Sequence, residues 1–151
     1  MIADFAAAHG LSSAVLRYFK APGADPDGEI GECHQPKTHL IPLALGAVSE
    51  RGPSLTVFSD DYATPDGTCI CDYVYVSDLA EAHVLALDQV LAERVSLTLN
   101  LGLGHGFCVS EIIAAIERVT GQSVPHLIGP RRDGDPPALI ASVDMAFDLL
   151  E

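Results

Sequence analysis

Pro130-Arg131-Arg132-Asp133-Gly134-Asp135 sets two of the chain's eight basic residues side by side in a turn-rich stretch. Arginine presents a planar fork of N–H donors that matches phosphate oxygens. The stretch reads in two ways: as an anion-binding loop, or as a solvated surface loop whose arginines pair with nearby aspartates. A second stretch, Gly102-Leu103-Gly104-His105-Gly106, follows a strand-like segment and precedes a helix-like one. A dinucleotide fingerprint there needs G-x-G-x-x-G, with an acidic residue about 20 positions on. Here the third glycine comes one residue early, and the acidic residue and second strand are not evident, so a structural turn is favoured.

The other reactive residue types form no such pattern. Six histidines occur, at 9, 34, 39, 83, 105 and 126, none in H-x-x-x-H or H-E-x-x-H spacing. His83 lies on the apolar face of a helical segment and is expected to be packed there. Four cysteines, Cys33, Cys69, Cys71 and Cys108, give one C-x-C and no C-x-x-C. A zinc site built from Cys33-His34 and Cys69-x-Cys71 would need four convergent ligands; thiols outside any metal site are the expectation. No nucleophile elbow and no Walker loop occur.

The formal net charge is −13 with only 8 Lys and Arg. Binding a nucleic-acid backbone takes clustered basic residues, so neither nucleic acid nor an anionic membrane is an expected partner. Hydrophobic residues make up 48% of the chain, enough for a packed core. No apolar run approaches the roughly 20 residues that span a bilayer. The start, Met1-Ile2-Ala3-Asp4-Phe5, lacks a signal-peptide pattern, so the expected location is cytoplasmic.

The elements that must position these residues alternate between strand and helix. Met1 to Gly10 predicts a helix stopped by glycine, and Ala14 to Phe19 a buried strand. After a polar loop from Pro22 to Gly31, Leu40 to Val48 predicts a helix capped at Thr38, with Pro42 in its first turn. Leu55 to Phe58 and Asp72 to Val76 predict strands. A helix to about Ala92 follows, capped at Ser77 or Asp78, with Leu79, Ala82, His83, Ala86, Leu87 and Val90 at helical spacing. Leu97 to Leu101 predicts a strand, Val109 to Thr120 a helix ended by Gly121, Val124 to Ile128 a strand, and Asp144 to Leu150 a last helix. The class is α/β. A parallel sheet needs both faces covered, and these few strands and helices suggest part of such a sheet.

Across the whole chain the segments occur in the order and spacing of one family. Leu16-Arg17-Tyr18-Phe19, His39-Leu40-Ile41-Pro42, Leu55-Thr56-Val57-Phe58, Tyr62-x-Thr64-x-Asp66-Gly67-Thr68, Val76-x-Asp78-Leu79-Ala80, Asn100-Leu101-Gly102 and Arg131-Arg132-x-Gly134-Asp135 resemble the UDP-glucose 4-epimerases, of the extended short-chain dehydrogenase type. The resemblance implies the C-terminal part of a Rossmann-type epimerase: a small α/β substrate domain plus the last strands and helices of the Rossmann sheet. Residues 1–151 would be the UDP-sugar-binding portion, without the N-terminal part that binds NAD.

In that family NAD takes a hydride from C4 of UDP-glucose or UDP-galactose and returns it to the other face, while the base of a Tyr-x-x-x-Lys pair removes the hydroxyl proton. No tyrosine of this sequence has a lysine four residues later. The resemblance therefore implies no catalytic residue in this chain, no epimerisation by the chain alone, and no NAD held by it alone. It implies a UDP-sugar site in which His39 and Leu40 sit near the uracil, Thr56 and Phe58 pack on the uridine, Arg132 and Asp135 hold diphosphate and ribose, and Tyr73 lines the pocket. Tyr18 would lie near the nicotinamide. No metal is implied. Expected partners are UDP-glucose or UDP-galactose, and a second copy or a Rossmann half.

Several positions depart from the family. Lys20 stands for an Asn that contacts the nucleotide sugar, Cys71 for a diphosphate-binding Arg, Tyr75 for a His, Cys108 for a helix-capping Ser, and Cys33 for an Asp. These departures leave two alternatives open: a non-catalytic UDP-sugar-binding remnant, or one subunit of a split epimerase.

Overall fold

A computed structural model describes residues 1–150. In chain order its elements are α1 (Ile2–His9), β1 (Ala14–Arg17), α2 (Leu40–Val48), β2 (Leu55–Phe58), β3 (Ile70–Cys71), α3 (Val76–Glu93), β4 (Leu97–Asn100), β5 (Phe107–Cys108), α4 (Val109–Thr120), β6 (His126–Gly129), β7 (Ala138–Leu139) and α5 (Asp144–Leu150). The α/β class follows directly. The chain forms two compact units, Met1–Gly31 with Tyr73–His105 and Ala141–Glu151, and Glu32–Asp72 with Gly106–Ile140.

In the first unit β1 pairs in parallel with β4, from Ala14 opposite Leu97 to Arg17 opposite Asn100. Val74, Leu79, Leu99, Leu101 and Ala146 form its core, with Leu16, Ala82, Leu97 and Leu150 packed against them. Helix α1 ends as expected at Gly10, whose φ of 65° is a left-handed conformation that glycine adopts at no steric cost. The expected strand from Asp72 to Val76 is corrected. Only Tyr73 bridges Lys20, and the chain turns into α3 at Val76 with Tyr75 as its N-cap residue. Neither Ser77 nor Asp78 is the cap. The aromatic and β-branched residues of Asp72-Tyr73-Val74-Tyr75-Val76 favour strand locally, but Val74 is buried in the core where α3 begins. The packed role expected for His83 is also corrected. Helix α3 buries Leu79, Ala86 and Val90, while His83 and Leu87 are exposed.

The second unit centres on β2 and β6, parallel from Leu55 opposite His126 to Phe58 opposite Gly129. Leu55 and Val57 alternate inward, and with Ala44, Ile113, Ile116 and Val124 they form the core. Thr56 and Phe58 therefore share the outward face. Beside this pair, β3 runs between β5 (antiparallel) and β7 (parallel). Helix α2 spans the expected residues, but its N-cap residue is His39 in place of Thr38, without a side-chain cap bond. Helix α4 starts with a capping box. Glu111 accepts from the Cys108 N–H at 2.7 Å, and the Cys108 sulfur takes the reciprocal contact. Cys108 thus closes the capping box of α4.

Among the described residues, no helix is long and apolar enough to cross a membrane.

Candidate functional site

The outward face of β2 and the loop after β6 bring four of the expected site residues together. Phe58 ends β2, and Arg132 lies over its ring with the guanidinium carbon 4.4 Å from the centroid. Such stacking orients the guanidinium fork. Asp135 steers it further, accepting from Arg132 Nε at 2.8 Å and lying 2.7 Å from the adjacent guanidinium nitrogen. Gly134, with φ of 84°, supplies the left-handed turn that lets the loop close on itself. Thr56 is the fourth: its Cγ2 would lie 2.8 Å from a Cβ placed on Gly129. Glycine at 129 thus leaves room for Thr56 and Phe58 on one surface.

Arg131 is fastened differently. Its Nε donates to the Asp61 carboxylate and its terminal nitrogen to the Asp61 carbonyl, both at 2.7 Å. Its guanidinium also lies 4.3 Å from the Tyr62 ring centroid. Asp61 is held in turn by the Ser59 hydroxyl, while its own N–H donates to Ser59 Oγ at 3.1 Å. Ser59 adopts a left-handed φ of 78° and is buried, with its N–H bonded to the Gly129 carbonyl at 2.9 Å. Hydrogen bonds from Ser59 and then Arg131 hold the Asp61 carboxyl below its usual range. The Asp61 carboxylate raises Arg131 correspondingly. Burial, and then the Cys69 thiol, push the Tyr62 phenol up.

The pairing reading of the Arg131-Arg132 stretch is met. The arginines do pair with aspartates, and both pairs are solvent-exposed. Yet each guanidinium is also held over an aromatic ring, and Arg132 bonds a single carboxylate oxygen. Arg131 anchors the loop through Asp61, while Arg132 spends only Nε and one terminal nitrogen on Asp135. Sequence reasoning missed the Ser59–Asp61 anchor. The only available signal was Ser59-Asp60-Asp61, a run that favours side-chain-to-backbone turns.

Asp66 organises a neighbouring loop. It accepts from the Thr68 N–H and hydroxyl, at 2.8 and 2.9 Å, and from the Ser110 hydroxyl on α4. The Thr68 hydroxyl oxygen accepts from the Val109 N–H at 2.9 Å, satisfying a donor in the first turn of α4. Burial works to raise Asp66, but the Ser110 and Thr68 bonds outweigh it, and its carboxyl lies below the usual value.

The remaining expected residues fall elsewhere. His39 stands at the start of α2 beside Glu32 and His34. Leu40 is half-buried and packs on the second unit's core. Lys20 and Tyr73 bridge in the first unit, where the Val74 N–H donates to the Lys20 carbonyl at 2.9 Å. Tyr18 is exposed, meets the His83 ring edge-on at 6.2 Å, and lines a groove with Ser13, Leu16 and Val90. Cys71 lies in β3 opposite Phe107. Tyr75 pins the first unit's loop, its hydroxyl donating to the Ala24 carbonyl at 2.8 Å.

Comparison with known proteins shows the family. The chain is 50% identical over 144 residues to the UDP-glucose 4-epimerase of Azospirillum brasilense, covering 95% of this chain and 41% of that one. The crystal structure of UDP-glucose 4-epimerase from Brucella ovis in complex with NAD superposes with a TM-score of 0.93 at 54% identity, over 99% of this chain and 46% of that one. The Bifidobacterium longum enzyme, solved with NAD+ and UDP, gives 0.90 at 36% identity, over 99% and 45%. The chain thus spans less than half the length of these relatives, and the match falls on their C-terminal portion. The sequence profile of the NAD dependent epimerase/dehydratase family matches residues 1–102, and the chain belongs to that family.

Proposed function

We propose that this chain is the nucleotide-sugar-binding part of a UDP-glucose 4-epimerase, an isomerase of galactose metabolism that interconverts UDP-glucose and UDP-galactose. The observation that carries the reading is Arg132, stacked on Phe58 and steered by Asp135 on the outward face of β2. In this reading Phe58 and Thr56 pack on the uridine, and Arg132 reaches the diphosphate while Asp135 meets the ribose. Leu40 and His39, at the start of α2, serve the uracil. Lys20 and Tyr73 meet the nucleotide sugar and Tyr18 the nicotinamide; those roles come from the sequence correspondence. NAD supplies the hydride chemistry in the whole enzyme, and the polypeptide orients it. With no Tyr-x-x-x-Lys pair in its sequence, the chain binds the substrate and leaves proton abstraction to residues it does not contain. A Rossmann part carrying that pair would complete the reaction, and the chain's setting is the cytoplasm.

The test is an assay of the pure chain with NAD and UDP-galactose, alongside calorimetric titration with UDP. Binding of UDP without formation of UDP-glucose is the expected result. Conversion by contaminant-free chain contradicts the assignment of the base elsewhere. Absence of UDP binding by the folded chain contradicts the site.

A further inference from the structure

Glu32 and His34, which the nucleotide-sugar reading does not use, form a cluster with His39. One potential ligand atom from each lies within 4.8 Å of the others. His34 Nδ1 is 2.9 Å from Glu32 Oε1, and His39 Nδ1 is 3.8 Å from the same oxygen. The two imidazoles meet edge to face, their centroids 5.2 Å apart. Sequence spacing hid the group, because the two histidines are five positions apart and the loop between them folds back.

We propose that these three side chains are a binding site for a divalent transition-metal ion, with zinc(II) as the working case. Two imidazoles and one carboxylate suit zinc and its neighbours and leave coordination positions open to water. Ligand bonds of about 2.0–2.2 Å put tetrahedral ligand atoms roughly 3.4 Å apart. The separations to Glu32 of 2.9 and 3.8 Å already bracket that spacing. All three residues are exposed, so rotations of surface side chains can close the set. His39 is the N-cap residue of α2, so its backbone sits at the helix start. The ion would tie the Glu32–Lys37 loop to the start of that helix.

Lys37 supplies the competing charge. Its ammonium lies 3.5 Å from Glu32 Oε1 and donates to the Glu32 carbonyl at 3.0 Å. It competes with an ion for the carboxylate and must swing away when one binds. The proposal therefore specifies opposite effects for neighbouring substitutions. Removing a ligand weakens binding, whereas removing Lys37 strengthens it.

The experiment is titration of the full chain with zinc(II), read by competition with a chromophoric chelator. One ion per chain is expected. Replacing even a residue that only supports a ligand costs about 10–100-fold in affinity, so Glu32→Gln should weaken binding by at least about tenfold. His34→Ala/His39→Ala should abolish it, and Lys37→Ala should tighten it. Cobalt(II) in place of zinc should show no thiolate charge-transfer band. Failure of the chain to bind zinc, an ion retained by the double histidine variant, or a thiolate band from cysteine ligation would overturn the proposal. So would a Lys37→Ala variant that binds no more tightly. None of these readings uses UDP, and although His39 enters both proposals, Glu32→Gln and Lys37→Ala lie outside the nucleotide reading, so a failed metal site and a failed nucleotide site remain distinguishable.

Discussion

Replacing Arg132 by alanine removes the guanidinium that Phe58 and Asp135 hold in place, and the structure assigns different magnitudes to binding and to folding. The Arg132–Asp135 pair is exposed, with side chains 56% and 27% accessible. An ion pair so well solvated contributes at most about 1 kcal/mol to stability. For a chain of this length, that moves Tm by roughly 2–4 °C. A charge-assisted hydrogen bond to a nucleotide oxygen is worth about 1.5–3 kcal/mol, or about 10- to 150-fold in Kd. Arg132→Ala should therefore weaken UDP binding strongly while the melt barely moves. Arg132→Lys keeps the charge but loses the planar fork and its stacking, and should fall between wild type and alanine. Isothermal titration with UDP, paired with thermal melts of the same samples, gives both quantities. A Kd within twofold of wild type for Arg132→Ala would refute the assignment. A lost affinity accompanied by a Tm drop well beyond 4 °C would refute the separation of the two roles.

Other expectations follow from the same geometry. Asp66 has a folded pKa below its ordinary 3.8, so its contribution to stability is present above that value and is lost as pH falls through the lower, folded one. Asp66→Asn should lower Tm near neutrality, and the gap from wild type should close at acid pH in a series of melts; a constant gap contradicts the linkage. The Cys108 thiol is pushed up to about 11, by burial first and then by Asp66. It should resist thiol reagents at pH 8 in the folded chain while exposed Cys33 reacts, and mass mapping of the label checks the order. Gly23 has φ of 121°, and a Cβ there would overlap the Tyr75 ring. Gly23→Ala should destabilise the chain by more than about 1 kcal/mol in urea melts, because the backbone strain remains even if Tyr75 moves; an unchanged midpoint refutes this.

Much of the fold was legible because its signals are local. Helix α4 matches the expected span because Ile113 and Ile116 face the core at helical spacing, with Gly121 closing its end. Strand β2 matches because Leu55 and Val57 alternate with Thr56 and Phe58. The strands β5 and β7, two residues each, carry no periodicity at all; their partners in β3 define them. At Asp72–Val76 the propensity was real, but tertiary packing took Val74 into the core and started α3 two residues later. For His83, helical spacing placed the residue near the apolar stripe without showing where the buried part of that stripe ends.

The candidate site was legible as residue types and not as geometry. The paired arginines stood out in an acidic chain. That one of them anchors the loop through Asp61 while the other leans on Phe58 depends on contacts from opposite ends of the second unit's sequence. Cys108 illustrates the same limit in reverse. A cysteine is not among the usual N-cap residues, yet Glu111 and the sulfur close the capping box.

The chain is expected to carry a working nucleotide pocket around Arg132 and Phe58. The most direct test is a thermal melt of the purified chain with and without millimolar UDP and UDP-glucose. A ligand that binds only the native state adds RT ln(1 + [L]/Kd), about 2.7 kcal/mol at a hundredfold excess over Kd. The account predicts a cooperative melt that shifts upward with UDP in wild type and shifts little in Arg132→Ala. A cooperative melt unmoved by either ligand would contradict it.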